Sequence, residues 1–526
     1  MAGLSLSSVV SAQSNDIPYS ACPLIGTYYP PPTFSRSSEP FKNLSSEFTE
    51  TFNQLIEKGG SDVYGPITAN TTSFSVVMFI GAESMMEDPT IFEYHYTSPQ
   101  YQLDMGTNLT SDTKFPVGDV TMVFTVYAWL VEMGETWDTP ITQYLPELEK
   151  ASSSDGVAWK EVTIGSLAGH MSGLIRQTFA KKLTVDPFVF QPDTTPMVSY
   201  TAFQLLAFAL GRRSGVDGYS IVLKDAILDP LNMTSSGLLN PDMKDIFASM
   251  DLSMTQQGEP AALSLTSTIT DLARAGNAML NSRLLPPAAT RRWLRHSVDS
   301  SNLRNGVGRP WEIYRSGRSA IAPILDARAK SGSMGAHYAS YFGLVPDFGV
   351  GFAILAHDGG NDRNPLDLNV YADVVSEVLG RLQSMGAAET AARYTGTYRG
   401  GSNDYSVAVL NVTSDGPGLA VQELRVDGVD MRADTARQLG ISSVADLDFR
   451  LYPTNVHEVD SHTHQFVAVF QDRSAPVDAG TPTCITWQEA GAAAGVEYRF
   501  VFNLTEDGMA GEFGSSSGGF SLERAA

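Results

Sequence analysis

The sequence predicts a mixed α/β (α+β) protein of two domains, a larger body in which helices and strands alternate and a smaller β-rich domain after it. Three observations predict this. The chain has 526 residues, more than one compact core holds and enough for two domains, or three. From Ser45 its apolar pattern switches repeatedly between the helical and the strand period. From Tyr394 short strand-like runs alternate with Gly, Asp and Ser, ending in Phe520 and a polar tail.

The elements follow in order. Leu4 to Ala12 is a short, small-residue apolar run ending in Val10-Ser11-Ala12. It reads either as a signal peptide cut before Gln13 or as ordinary tail, because no Arg or Lys precedes Arg36. Residues 20–40 are Pro-rich and read as an arm over the surface, so residues 1–44 form no domain of their own. Ser73 to Gly81 and Ile91 to Thr97 read as strands. Asp119 to Met133 reads as an amphipathic helix, with Val120, Val123, Phe124, Tyr127, Leu130 and Val131 on one face and Gly134 as its stop. Thr201 to Arg213 and Thr266 to Leu280 read as further helices, and Tyr338 to Leu344 with Gly349 to Ala356 as a strand pair turning at Pro346-Asp347. A helix from Asn369 to Met385 closes the body, taken as residues 45–386. Residues 387–393, with the run AAETAA, read as a linker, and residues 394–526 as the β-rich domain.

Composition narrows the function. Hydrophobic residues at 43% and charged residues at 18% describe a folded globular chain, not a disordered one or a coiled coil. A net charge of −23 repels phosphate backbones and argues against nucleic-acid binding. No apolar run approaches the roughly 18 residues of a membrane span. Six N-x-S/T sequons, at Asn43, Asn70, Asn108, Asn232, Asn411 and Asn503, point to the secretory pathway. The only cysteines, Cys22 and Cys484, fit one bridge between the arm and the far domain, with two unrelated buried thiols as the other reading.

Two short motifs mislead. Gly514-Ser515-Ser516-Ser517-Gly518 matches G-x-S-x-G, but no helix follows to make the strand-to-helix elbow which that motif requires. Ser111-Asp112-Thr113-Lys114 matches S-x-x-K, but Phe115-Pro116 and Gly118 follow at once, which makes it a loop. His462-Thr463-His464 sets two imidazoles on one strand face with only Glu458 and Asp460 nearby, so neither a metal nor a cofactor is expected.

A longer set of segments carries a family resemblance. It comprises Thr113 to Gly118 with the helix from Asp119, Thr163 to Leu174 (TIGSLAGHMSGL), Ala202 to Leu206, Pro230 to Asn232, Thr268 to Ala273, Pro310 to Ile313, and Lys330-Ser331-Gly332 through Gly343 to Pro346. Spread in order over residues 90–360, they resemble the serine β-lactamases and penicillin-binding proteins, most closely the fungal group related to class C enzymes. The resemblance implies a β-lactamase/transpeptidase-like domain, an antiparallel sheet flanked by helices, plus a smaller C-terminal β domain.

It also implies altered chemistry. Where the family has its nucleophilic Ser-x-x-Lys, this chain has Asp119-Val120-Thr121-Met122, and where the family has Tyr-x-Asn it has Val198-Ser199-Tyr200. Only Lys330-Ser331-Gly332 keeps the family pattern. A thioether and an isopropyl group transfer no protons, so family-type acyl-enzyme hydrolysis is not expected. Asp119 is then either a helix cap paired with Lys330 or a general base, with Lys330 or Tyr200 stabilising an oxyanion. Met122, Val198, Ser331 and His337 are expected around a small apolar substrate. Three functions remain: a cyclase, isomerase or lyase on an apolar carbonyl-bearing molecule, a binding protein without turnover, or a hydrolase with an unforeseen nucleophile. Ser172 and Ser331 have no nearby base that would make either a convincing nucleophile.

Overall fold

Thr72–Ile80 is a run of β-branched and aromatic residues, and every one of them is buried. A strand covered on both faces lies between packed layers, and this one stands second from the edge of the main sheet. The structure, a computed structural model, describes residues 19, 21–33, 39–85, 87–150, 158–176, 187–215, 218–240, 260–316, 324–335, 337–360, 366–400, 405–457, 462–475, 486–489 and 496–525. They fall into two units, one of residues 34–316 and 325–379, the other of residues 1–33, 317–324 and 380–526.

The larger unit is built on an eight-stranded sheet, antiparallel throughout. Its order is Thr90–Tyr96, Thr72–Ile80, Val350–Asp358, Tyr338–Val345, Leu325–Met334, Glu312–Ser316, Asn305–Val307 and Val298–Asp299. On one face the helix Ile269–Leu280 lies directly against Thr72–Ile80, since Gly276 leaves no room for a Cβ beside the Phe79 ring. Behind it, Thr121–Met133 packs with Tyr200–Ser214. The other face is covered through Phe48 and Phe52 of Glu39–Lys58 and Tyr371 of Asn369–Tyr394, which meet Phe74 and Phe92.

The smaller unit is a nine-stranded antiparallel sheet in which Val407–Val412 pairs with both Gly396–Arg399 and Leu419–Val426, so the sheet closes on itself as a barrel. Closure leaves few unpaired edges, and an aromatic cluster of Tyr394, Tyr398, Phe466, Phe500, Phe502 and Phe513 fills the interior. The N-terminal arm belongs to this unit: the Tyr19 hydroxyl donates to Asp448 at 2.5 Å and the Cys22 amide to Gln471 at 2.8 Å. Asp448 is itself paired with the fully buried Arg450 at 2.9 Å.

Three expectations need correction. The helix read from Asp119 begins as a 3₁₀ turn, Gly118–Val120, and becomes α-helical over Thr121–Met133. It is buried all round from Thr121 to Leu130, not amphipathic, because it runs inside the helical layer. Residues 387–393 form no irregular linker; they continue the helix Asn369–Tyr394, as an Ala-rich run favours. Cys484, Glu458, Asp460 and the Leu4–Ala12 run lie outside the described residues.

Candidate active site

The turn that carries Asp119 is pressed onto the Leu325–Met334 strand, and two glycines permit it. Gly118 has φ +52°, and a Cβ there would stand 2.3 Å from the Ser333 carbonyl oxygen. Across the contact, a Cβ on Gly332 would stand 2.3 Å from the Val117 oxygen and 2.9 Å from the Asp119 nitrogen. The Ser340 hydroxyl, one strand over, donates to the Val117 carbonyl at 2.8 Å and holds the turn down. Gly332→Ala is therefore expected to lower stability by about 1–3 kcal/mol and to displace Asp119, as a thermal melt and a structure of the variant will report.

Asp119 is 7% exposed, and its Oδ2 accepts a bond from the Ser333 amide at 3.3 Å. Burial pushes its carboxyl above the ordinary aspartate range; Lys330, the Ser333 amide and Arg176 oppose that rise, and Glu312 adds to it. Asp119 lines a cavity of about 300 Å³ together with Arg176, Val198, Glu312, Lys330, Ser331, Tyr341 and Asp367.

Lys330 does not form the expected pair with Asp119. Its side chain is 2% exposed, and its ammonium sits 2.5 Å from Glu312 Oε1 and 2.9 Å from the Ser331 carbonyl. The strand register explains this, since Glu312 lies opposite Ala329, one residue from Lys330. Glu312 also accepts from the Ser331 amide at 3.0 Å and from the Ser331 hydroxyl at 2.8 Å. Burial works to raise the Glu312 carboxyl, but Lys330 and Ser331 together hold it below the usual glutamate range.

Tyr200 is buried and is not among the residues lining the cavity. Its hydroxyl accepts from Arg176 Nη2 at 2.8 Å, and the guanidinium lies 5.0 Å from its ring centre. Burial pushes the phenol up, Asp119 adds to that, and Arg176 opposes it. The two segments are stitched together, the Tyr200 amide donating to the Arg176 carbonyl at 2.8 Å and the Ser199 hydroxyl to the Ile175 carbonyl at 2.8 Å.

Val198 and Ser331 line the cavity as expected; Met122 and His337 do not. Met122 is fully buried in the core, because its helix has no solvent face there. His337 follows the turn at Gly335, and its Nδ1–H donates to the Asp358 carbonyl at 2.8 Å, while its ring stacks on His357 at 6.3 Å. The cavity is accordingly more polar than the apolar pocket expected, with five charged residues against Val198, Ala339, Leu366 and Leu368.

Sequence reasoning missed Glu312, Arg176 and His170. A buried lysine demands a counter-ion, and Glu312 in the Pro310–Ile313 segment was the available signal. Arg176 lies two residues past the Thr163–Leu174 stretch. His170, 4% exposed at φ +61°, has Nε2 3.2 Å from the Pro310 carbonyl; burial first and Lys330 second push it down to about 4, so it is a neutral ring at physiological pH. Ser111 donates to Glu93 at 3.0 Å from a turn, and Ser515 and Ser517 share the Glu497 carboxylate in the barrel. Neither arrangement belongs to the cavity.

Comparison with known proteins places this architecture. The model of the β-lactamase family matches residues 91–376, and one described as "Beta-lactamase-like-like, C-terminal domain" matches residues 386–526. A "Beta-lactamase-like protein" of Arthroderma benhamiae is 24% identical over 513 residues, covering 85% of this chain and 83% of the relative. Among solved structures, a class C β-lactamase is similar at 17% identity and TM-score 0.49, covering 65% of this chain and 97% of its own. The octameric penicillin-binding protein homologue from Pyrococcus abyssi is similar at 17% identity and TM-score 0.47, covering 81% and 96%. With more than half of its length matched by the family model, the chain belongs to the β-lactamase family.

Proposed function

We propose that this β-lactamase-like protein is a non-hydrolytic enzyme that moves a proton on a small carbonyl-bearing molecule, with Asp119 as general base. One observation carries the reading: a buried carboxylate, raised above its ordinary range and without an ion-pair partner among the described residues, stands on the wall of an open cavity. Such a group takes a proton from a C–H beside a carbonyl, and the electron pair moves to the carbonyl oxygen. Return of the proton to the far carbon of a β,γ-unsaturated carbonyl compound, or to the other face of the same carbon, completes an isomerisation with no co-reactant. Tyr200 acts as a positioning residue through Arg176 and Asp119. Val120, Thr121 and Met122 follow Asp119 where the family would place the rest of Ser-x-x-Lys, so no acyl-enzyme step is part of this reading.

The test is solvent exchange. The purified protein, incubated in D₂O with a panel of small carbonyl compounds, is expected to exchange an α-proton of at least one of them, followed by NMR, and Asp119→Asn is expected to abolish that exchange. Exchange unchanged in the variant removes Asp119 from the chemistry. A second reading, a binding protein without turnover, is favoured by the saturation of Lys330 and Ser331 by Glu312; absence of exchange in wild type, with binding retained, would select it.

We also propose passage through the secretory pathway. Five of the six sequon asparagines are exposed, Asn411 being half-buried. No described cysteine is free, and the Cys22 sulfur lies 3.7 Å from Thr486 Oγ1, two residues past Cys484. Non-reducing mass spectrometry of protein from its native source is expected to find a Cys22–Cys484 bridge and glycan on at least one sequon. Two free thiols and no glycan would reverse this placement.

A further inference from the structure

We propose that Arg176 is the receptor for a carboxylate on the substrate, so that the molecule handled here is a small keto acid or a similar carbonyl-bearing acid rather than a neutral apolar compound. The inference rests on the reading of the cavity as the substrate site and names what enters it. The cavity wall holds two cations, and they differ in what they have left to offer. Lys330 is committed to Glu312 and to the Ser331 carbonyl. Arg176 makes one side-chain hydrogen bond, from Nη2 to the Tyr200 hydroxyl at 2.8 Å, and no ion pair among the described residues. A guanidinium carries five N–H donors in a planar fork, so most of them remain for a ligand.

The fork is also held in place. Its Cζ lies over the Tyr200 ring, 5.0 Å from the ring centre, and the Tyr200 amide is bonded back to the Arg176 carbonyl at 2.8 Å. A fixed fork suits two parallel bonds to a carboxylate, which a flexible ammonium does not reproduce. Because Glu312 cancels Lys330, the anions left facing the cavity among the described residues are Asp119 and Asp367, and Arg176 is the one described cation left to hold an acid. Asp119 feels the Arg176 charge without pairing with it, so a carboxylate seated on Arg176 brings the adjacent carbonyl carbons toward Asp119. The volume of about 300 Å³ sits at the lower end for ligand pockets and suits a small acid.

Binding, not turnover, is the readout. The full chain is titrated calorimetrically with a panel of small keto acids, phenylpyruvate among them, and with the methyl ester of each. At least one acid is expected to bind about tenfold or more tightly than its ester, and Arg176→Gln to bring acid and ester to equal affinity. Arg176→Lys, which keeps the charge but not the fork, is expected to recover only part of it; thermal melts establish that both variants are folded. Asp119→Asn is expected to retain acid binding. If no acid outbinds its ester, or Arg176→Gln keeps the full preference, the assignment is wrong. Solvent exchange that persists alongside that result leaves the Asp119 reading standing, and acid binding through Arg176 with exchange independent of Asp119 does the reverse.

Discussion

If Asp119 is the proposed general base, Asp119→Asn is expected to lower turnover by about 10²-fold or more, because general-base catalysis is worth roughly 10²–10⁴ and an amide cannot take up the proton. The variant is expected to be as heat-stable as wild type, or more so. The sign follows from the raised carboxyl: the folded protein holds the Asp119 proton to higher pH than the unfolded chain does. The favourable contribution is present at low pH and lost as pH rises through the folded value, so at neutral pH the charged carboxylate costs stability. The acid limb of kcat/KM against pH is expected above the ordinary aspartate range for the same reason. A limb within that range, or a variant with full turnover, would reduce Asp119 to a helix-end acceptor for the Ser333 amide.

Glu312→Ala is the second large effect, on stability. It strips the counter-ion from an ammonium that is 2% exposed and leaves the Ser331 amide and hydroxyl without their acceptor. Breaking a buried pair from one side costs about 3–5 kcal/mol, and the lower end applies because 28% of the Glu312 side chain is exposed. Chemical denaturation is the measurement. The pH dependence has the opposite sign to that of Asp119: the Glu312 carboxyl is held below its ordinary value of 4.5, so its contribution is present above that pH and is lost as pH falls through the folded value. A loss below about 1 kcal/mol would mean the pair behaves like an exposed surface bridge.

Much of the scaffold was legible because local pattern and tertiary role coincide. The runs at Ser73 to Gly81 and Ile91 to Thr97 became the strands Thr72–Ile80 and Thr90–Tyr96, one residue out of register with the reading. The strand pair at Tyr338 and Gly349 turned where Pro346-Asp347 required. The site was less legible, for reasons that lie in packing. A helix buried all round has no face that tells core from cavity, so nothing in the sequence separates Met122 from Asp119 three residues earlier. Lys330 and Glu312 meet across neighbouring strands 18 residues apart, a pairing that periodicity does not register. The direction of His337 is set by the left-handed turn at Gly335. AAETAA carried a helical signal that short polar composition masked; Ala and Glu favour helix more than they favour a linker.

Intact-mass spectrometry separates the proposed non-covalent role of Asp119 from family-type acylation. Purified protein is incubated with a penicillin and with an activated ester, quenched in acid and weighed. Unmodified protein is expected at every time point, because Asp119 stands where the nucleophile would, Ser172 is fully buried, and the carboxylate that accepts from the Ser331 hydroxyl, Glu312, is held below the usual glutamate range by Lys330 and is too weak a base to activate it. An added acyl mass mapped to any serine lining the cavity would contradict that role.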